Sequence, residues 1–62
     1  MKPKYTIGTW IRFYNVGKLY IDIIQYIDKD VLGKYYYLTI NNGHVSEDMV
    51  LESRTEQHHQ IL

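Results

Sequence analysis

The sequence predicts one small all-β domain, a sheet of about five short antiparallel strands bent strongly enough to curl on itself. Three observations carry that expectation. The segments YTIGTWIRFY, GKLYIDIIQYI and KYYYLTI alternate side-chain character and are crowded with β-branched and aromatic residues, which suit a pleated, half-buried surface. Between and after them stand turn residues: Asn15 with Gly17, Asp28 to Gly33, and Asn41-Asn42-Gly43. These supply the backbone conformations that hairpins need. Finally, 62 residues without a cysteine make a single domain that buries only about 60% of the surface its unfolded chain exposes, with no disulfide to staple it.

Taken in order, the first four residues contain Pro3 and two lysines and read as a solvated lead-in, with order expected to begin near Tyr5. From Ile7 to Tyr14 the alternation sets Ile11 and Phe13 on one face and Trp10, Arg12 and Tyr14 on the other. Asn15 to Lys18 is a turn. In Leu19 to Ile27 the expected inward register is Leu19, Ile21 and Ile23, with Tyr20 and Asp22 outward. The adjacent pair Ile23 and Ile24 breaks period two and predicts a bulge or strong bend. A helix is the weaker alternative, because four isoleucines and two tyrosines among nine residues fit a strand better.

Asp28 to Gly33 is a polar loop whose Val31 and Leu32 are expected to tuck back against the sheet. In Lys34 to Ile40 the inward set is Tyr36, Leu38 and Ile40, with Tyr35, Tyr37 and Thr39 outward. Asn41-Asn42-Gly43 closes a tight hairpin and Val45 returns inward. Ser46, Glu47 and Asp48 ahead of Met49, Val50 and Leu51 predict a single helical turn and a short closing strand. The expected core is therefore Ile11, Phe13, Leu19, Ile21, Ile23, Tyr36, Leu38, Ile40, Val45 and Val50. The domain is expected to span residues 1–52. Residues 53–62 form a polar tail, or a short helix in which Ser53 and Glu56 make a capping box.

This succession of strand, turn, long bent strand, loop, strand, hairpin, short strand, single turn and last strand resembles the SH3-like small β-barrel of the Tudor and KOW kind. The resemblance covers residues 5–52 and lies in spacing and strand character, without a diagnostic motif. It implies a superfold, at a length that suits a small bacterial or phage protein, and not a function. Barrels of this kind bind proline-rich peptides, methylated side chains, RNA or DNA, mostly through aromatic residues near the loops. A Tudor-type aromatic cage would draw on Tyr14, Tyr35 and Tyr37.

Seven basic and seven acidic residues cancel, which departs from the basic character of KOW modules and removes any global pull toward nucleic acid or an anionic membrane. Lys18, Lys29 and Lys34 are offset locally by Asp22, Asp28 and Asp30. With no targeting segment and no apolar run of membrane length, a soluble cytoplasmic protein is expected. Absence of cysteine excludes thiol catalysis and thiolate metal sites. His44 and the adjacent His58 and His59 lack a third ligand at metal spacing. Glu47 and Asp48 near His44 sit at an open turn with no nucleophile. No catalytic residue, metal, cofactor or small-molecule substrate is expected.

Folding leaves the outward register unexplained: Trp10, Arg12, Tyr14, Tyr20, Tyr35 and Tyr37, residue types enriched at binding hot spots. The expected function is a non-enzymatic module for protein–protein interaction through that outer aromatic surface, with another protein or a second copy of the chain as partner. The alternative is weak binding of single-stranded nucleic acid, with tyrosines as stacking platforms.

Overall fold

The computed structural model describes residues 2–55. The chain is all-β, with strands β1 (Trp10–Asn15), β2 (Lys18–Lys29), β3 (Tyr35–Thr39) and β4 (Gly43–Ser46), a 3-10 turn at Glu47–Met49, and β5 (Val50–Arg54). Every pairing is antiparallel, and the five strands form one sheet in the order β4-β3-β2-β1-β5. The edge strands β4 and β5 are joined through the 3-10 turn, and the hydrogen-bonded order includes no ladder between them. β5 runs past the expected domain end, with Ser53 opposite Ile11 and Arg54 opposite Trp10, so Ser53 lies in a strand and starts no helix. The remainder of the expected tail, from Glu56 on, lies outside the described residues.

The register follows from the first turn. Asn15 pairs with Lys18, so only Val16 and Gly17 make the connection, with φ of 52° and 76°. Two successive positive φ values are the type I′ arrangement, whose twist matches that of the flanking strands. Gly17 adopts it freely, whereas Val16 is β-branched and strained there. Val16 is also 95% exposed, so no packing offsets the strain. Val16→Asn is expected to raise stability by about 1 kcal/mol, seen as a higher urea midpoint at unchanged slope.

Residues directly opposed across an antiparallel pair share a face. Phe13 stands opposite Tyr20 and Ile11 opposite Asp22, which makes Tyr20, Asp22 and Ile24 the inward register of β2. The expected irregularity falls between Ile24 and Tyr26, after which Ile27 faces Tyr37, and Tyr37 in turn faces Val45. The core is Ile11, Phe13, Ile24, Tyr37 and Val45, with Tyr5, Tyr20, Ile27 and Val50 packed against it. Phe13 and Tyr20 stack at a centroid distance of 5.8 Å.

Six of the ten expected core residues are corrected by this register. Ile11, Phe13 and Val45 are buried and Val50 packs at the margin, but Leu19, Ile21 and Ile40 are exposed. Ile23, Tyr36 and Leu38 are half-buried and alternate with inward residues, hence belong to the opposite face. Val31 and Leu32 do not tuck back and are fully or largely exposed. Their loop is held by its own polar groups: Asp30 Oδ1 accepts from the backbone N–H of Leu32 and of Lys34, each at 2.9 Å.

An aspartate in the inward register is tolerated because its carboxylate is fully engaged. Asp22 is 3% exposed. Its oxygens accept from the backbone N–H of Ile23 at 2.7 Å and of Asn41 at 2.9 Å, and from Asn42 Nδ2 at 2.7 Å. Burial, the largest single influence, works to raise its pKa. The donors of Ile23, Asn41 and Asn42, with the neighbouring Thr39 hydroxyl as a smaller influence, together outweigh it and hold the carboxyl below its ordinary value. The contacts tie β2 to the Ile40-to-Asn42 connection between β3 and β4. That connection is three residues long, since Thr39 pairs with Gly43. The positive φ expected of Asn-Gly falls at Gly43, at 73°, and the Thr39 hydroxyl donates to the Gly43 carbonyl at 2.8 Å.

A second polar cluster docks the N-terminal segment. Tyr37 Oη donates to Glu47 Oε2 at 2.5 Å, Lys4 N donates to the same oxygen at 2.8 Å, and Tyr5 N donates to Tyr37 Oη at 3.3 Å. The Tyr5 ring stands edge-on to Tyr37 at 5.6 Å. Burial first, and the hydrogen bond to Glu47 second, push the Tyr37 phenol from its ordinary 10 up to about 12. A folded-state pKa raised above the unfolded value contributes stability that is complete below the unfolded pKa and lost as pH rises through the folded one. Tyr37 should therefore stabilise the fold up to about pH 10 and cease to do so by about pH 12. Stability measured by urea titration should fall across that window, and the fall should be smaller in Tyr37→Phe, where only the raised phenol of Tyr36 remains.

Candidate functional site

The correction of register relocates the exposed surface. The outer face of β1 and β2 is built from three opposed pairs: Trp10 with Ile23, Arg12 with Ile21, and Tyr14 with Leu19. β5 adds Glu52 beside Arg12 and Arg54 beside Trp10. Ile21 is 61%, Tyr14 54% and Leu19 46% exposed, and Trp10 and Ile23 are half-buried. An antiparallel sheet with one face on the core and one in water carries polar side chains on the wet face. Here three aliphatic residues in succession along β2 face outward, framed by two aromatics of β1.

The charges on this face lie to its β5 side. Arg12 donates to Glu52 Oε1 at 2.8 Å, and Arg54 stands 3.9 Å from the other carboxylate oxygen with its side chain 74% exposed. An exposed pair of this kind contributes about 0–1 kcal/mol to folding. Its greater effect is to tie the Arg12 guanidinium to β5.

Of the six residues expected to form the surface, Trp10, Arg12 and Tyr14 share this face. Tyr20 and Tyr37 are corrected to the inner side: Tyr20 is half-buried on Phe13, and Tyr37 has no exposed surface because it sits opposite Val45 in the core. Tyr35 is half-buried at the far end of β3, opposite Lys29, whose ammonium lies 5.4 Å from the Tyr35 ring centre. A cage of Tyr14, Tyr35 and Tyr37 does not assemble from these positions. Leu19, Ile21 and Ile23 were missed, though parity shows them: if Phe13 points inward and the turn pairs 15 with 18, residue 20 shares its face and residues 19, 21 and 23 do not.

A concavity of about 330 Å³ lies between the β2–β3 loop and the 3-10 turn and is lined by Asp30, Lys34, Tyr35, Tyr36, Glu47 and Asp48 among others. Its carboxylates already serve the fold. Glu47 accepts from Tyr37 and Lys4, Asp48 from the Ser46 hydroxyl at 2.6 Å, and Asp30 from its own loop. His44 packs edge-on against Tyr36 at 5.1 Å. Among the described residues no group of three or more His, Cys, Asp or Glu is placed to hold a metal ion, and no helix is long and apolar enough to cross a membrane.

No protein-family model, curated protein or solved structure matches this chain. The outer face therefore stands on its own chemistry.

Proposed function

We propose that the chain is a non-enzymatic interaction module that engages a protein surface through the outer face of β1 and β2. The observation that carries this is the row Leu19, Ile21 and Ile23, flanked by Trp10 and Tyr14, on the side of the sheet the core does not use. Contiguous exposed apolar surface of this kind marks interaction sites, and Trp, Tyr and Arg supply the anchors that dominate binding energy. Ile21→Lys tests it. The side chain is mostly exposed, so stability should change by no more than about 0.5 kcal/mol. Partner capture from a lysate should fall at least tenfold, and the emission of Trp10, the sole tryptophan, should stop responding to the captured partner. Undiminished capture by the Ile21→Lys protein would remove the proposal.

Arg12 and Arg54 beside Trp10 and Tyr14 favour a second reading, weak single-stranded nucleic-acid binding by stacking and phosphate contact. It requires a titration with mixed oligonucleotides to show affinity that falls steeply with salt. A flat titration at low salt excludes it.

A further inference from the structure

Resting on the interaction reading of this same face, we infer that its occupant is a second copy of the chain, packed face to face about a twofold axis. The axis runs across the strands, midway between the row Glu52, Arg12, Ile21 and the row Arg54, Trp10, Ile23. Rotation about it leaves each strand over its own equivalent and exchanges the two rows. Glu52 then meets the partner's Arg54, Ile21 meets the partner's Ile23, and Arg12 lies against the partner's Trp10. Each contact occurs twice, as an isologous interface requires.

One observation favours this occupant and a second sets how tightly it binds. The first is charge. Arg54 is 74% exposed and only 3.9 Å from Glu52 Oε2, outside hydrogen-bond reach, whereas Arg12 already holds Oε1 at 2.8 Å. The carboxylate therefore keeps one oxygen for an arginine, and the exposed arginine stands one row away, the offset the twofold removes. The second is area. Six residues of β1, with the facing parts of β2 and β5, make a face about 20 Å by 15 Å. The total accessible surface is 4710 Å², and a standard interface takes roughly 800 Å² from each partner. This face, about 300 Å², is smaller than that, which fits a weak, transient dimer dissociating on the order of 100 µM. Packed sheets sit about 10 Å apart with aligned strands, close enough to exclude water from Ile21 and Ile23.

Sedimentation equilibrium of the full chain, from roughly 1 to 300 µM around that constant, provides the test. A monomer–dimer equilibrium is expected, weakened more than tenfold by Ile21→Lys. Glu52→Arg and Arg54→Glu should each be mostly monomeric, because like charges then oppose one another twice. An equimolar mixture of those two variants should re-form a dimer, since each reversed charge meets its opposite. Circular dichroism identifies any variant that has not folded, and Ile21→Lys, altering an exposed side chain, keeps the test decisive. Three results overturn the inference: a dimer indifferent to Ile21→Lys, no recovery on mixing two folded charge variants, or a monomer at every concentration. In the last case, capture of another protein that Ile21→Lys abolishes leaves the interaction reading standing, and capture of nothing ends both.

Discussion

Tyr37→Ala should leave the domain largely unfolded at room temperature. Tyr37 is among the largest side chains without exposed surface, and truncating a buried aromatic costs about 3–5 kcal/mol. A 62-residue domain has a total stability of only about 3–9 kcal/mol. The same change leaves Glu47 and the backbone N–H of Tyr5 without the phenol that joins them, loosening the N-terminal segment. Tyr37→Phe keeps the ring and loses only the hydroxyl, for about 1–2 kcal/mol, so the pair separates packing from hydrogen bonding. Urea unfolding followed by far-ultraviolet circular dichroism measures both. A Tyr37→Ala protein with near-native stability would place this ring outside the core.

Asp22→Ala ranks next, with an expected loss of about 2–4 kcal/mol. Its carboxylate accepts three hydrogen bonds, two of them from the β3–β4 connection, and removing it strands the donors of Asn41 and Asn42. Because its folded pKa is lowered, the carboxylate stabilises above its unfolded value, and that contribution disappears as pH falls through the folded one. Glu47 is also held below its ordinary pKa, first by the Lys4 N–H and then by Tyr37, and adds to the same acid limb. Stability against pH should therefore fall on the acid side in the native chain and fall less in Asp22→Asn, which starts lower. An acid limb of the same depth in Asp22→Asn would remove Asp22 from this role.

The existence of the strands and their succession along the chain were readable in the sequence because local chemistry writes them. Gly17 and Gly43 accept positive φ, and Ser46 to Met49 forms the single turn before β5. The register of β2 was not readable from hydropathy, because both of its registers are apolar. Leu19, Ile21 and Ile23 are more aliphatic than Tyr20, Asp22 and Ile24, so pattern alone sends the wrong set inward. Partner groups decide otherwise: Asp22 finds donors 19 and 20 residues away, and Tyr37 finds Glu47 ten residues away. Long-range satisfaction of polar atoms leaves no local pattern. The candidate site divides along the same line. Trp10, Arg12 and Tyr14 were readable because β1 alternates cleanly, whereas the aliphatic half of the surface lay hidden in the ambiguous strand.

Thiol labelling tests the two-faced sheet most directly, since the chain has no cysteine of its own. Ile21→Cys and Ile24→Cys place single thiols three residues apart on opposite sides of β2, and their reaction rates with a soluble thiol reagent are read in native buffer. The Ile21→Cys thiol should react rapidly in dilute protein and become protected as concentration rises, while the Ile24→Cys thiol should stay protected at every concentration. An Ile21→Cys thiol shielded at all dilutions beside a freely reactive Ile24→Cys thiol would return the aliphatic row to the core and contradict the outer face as the interaction surface.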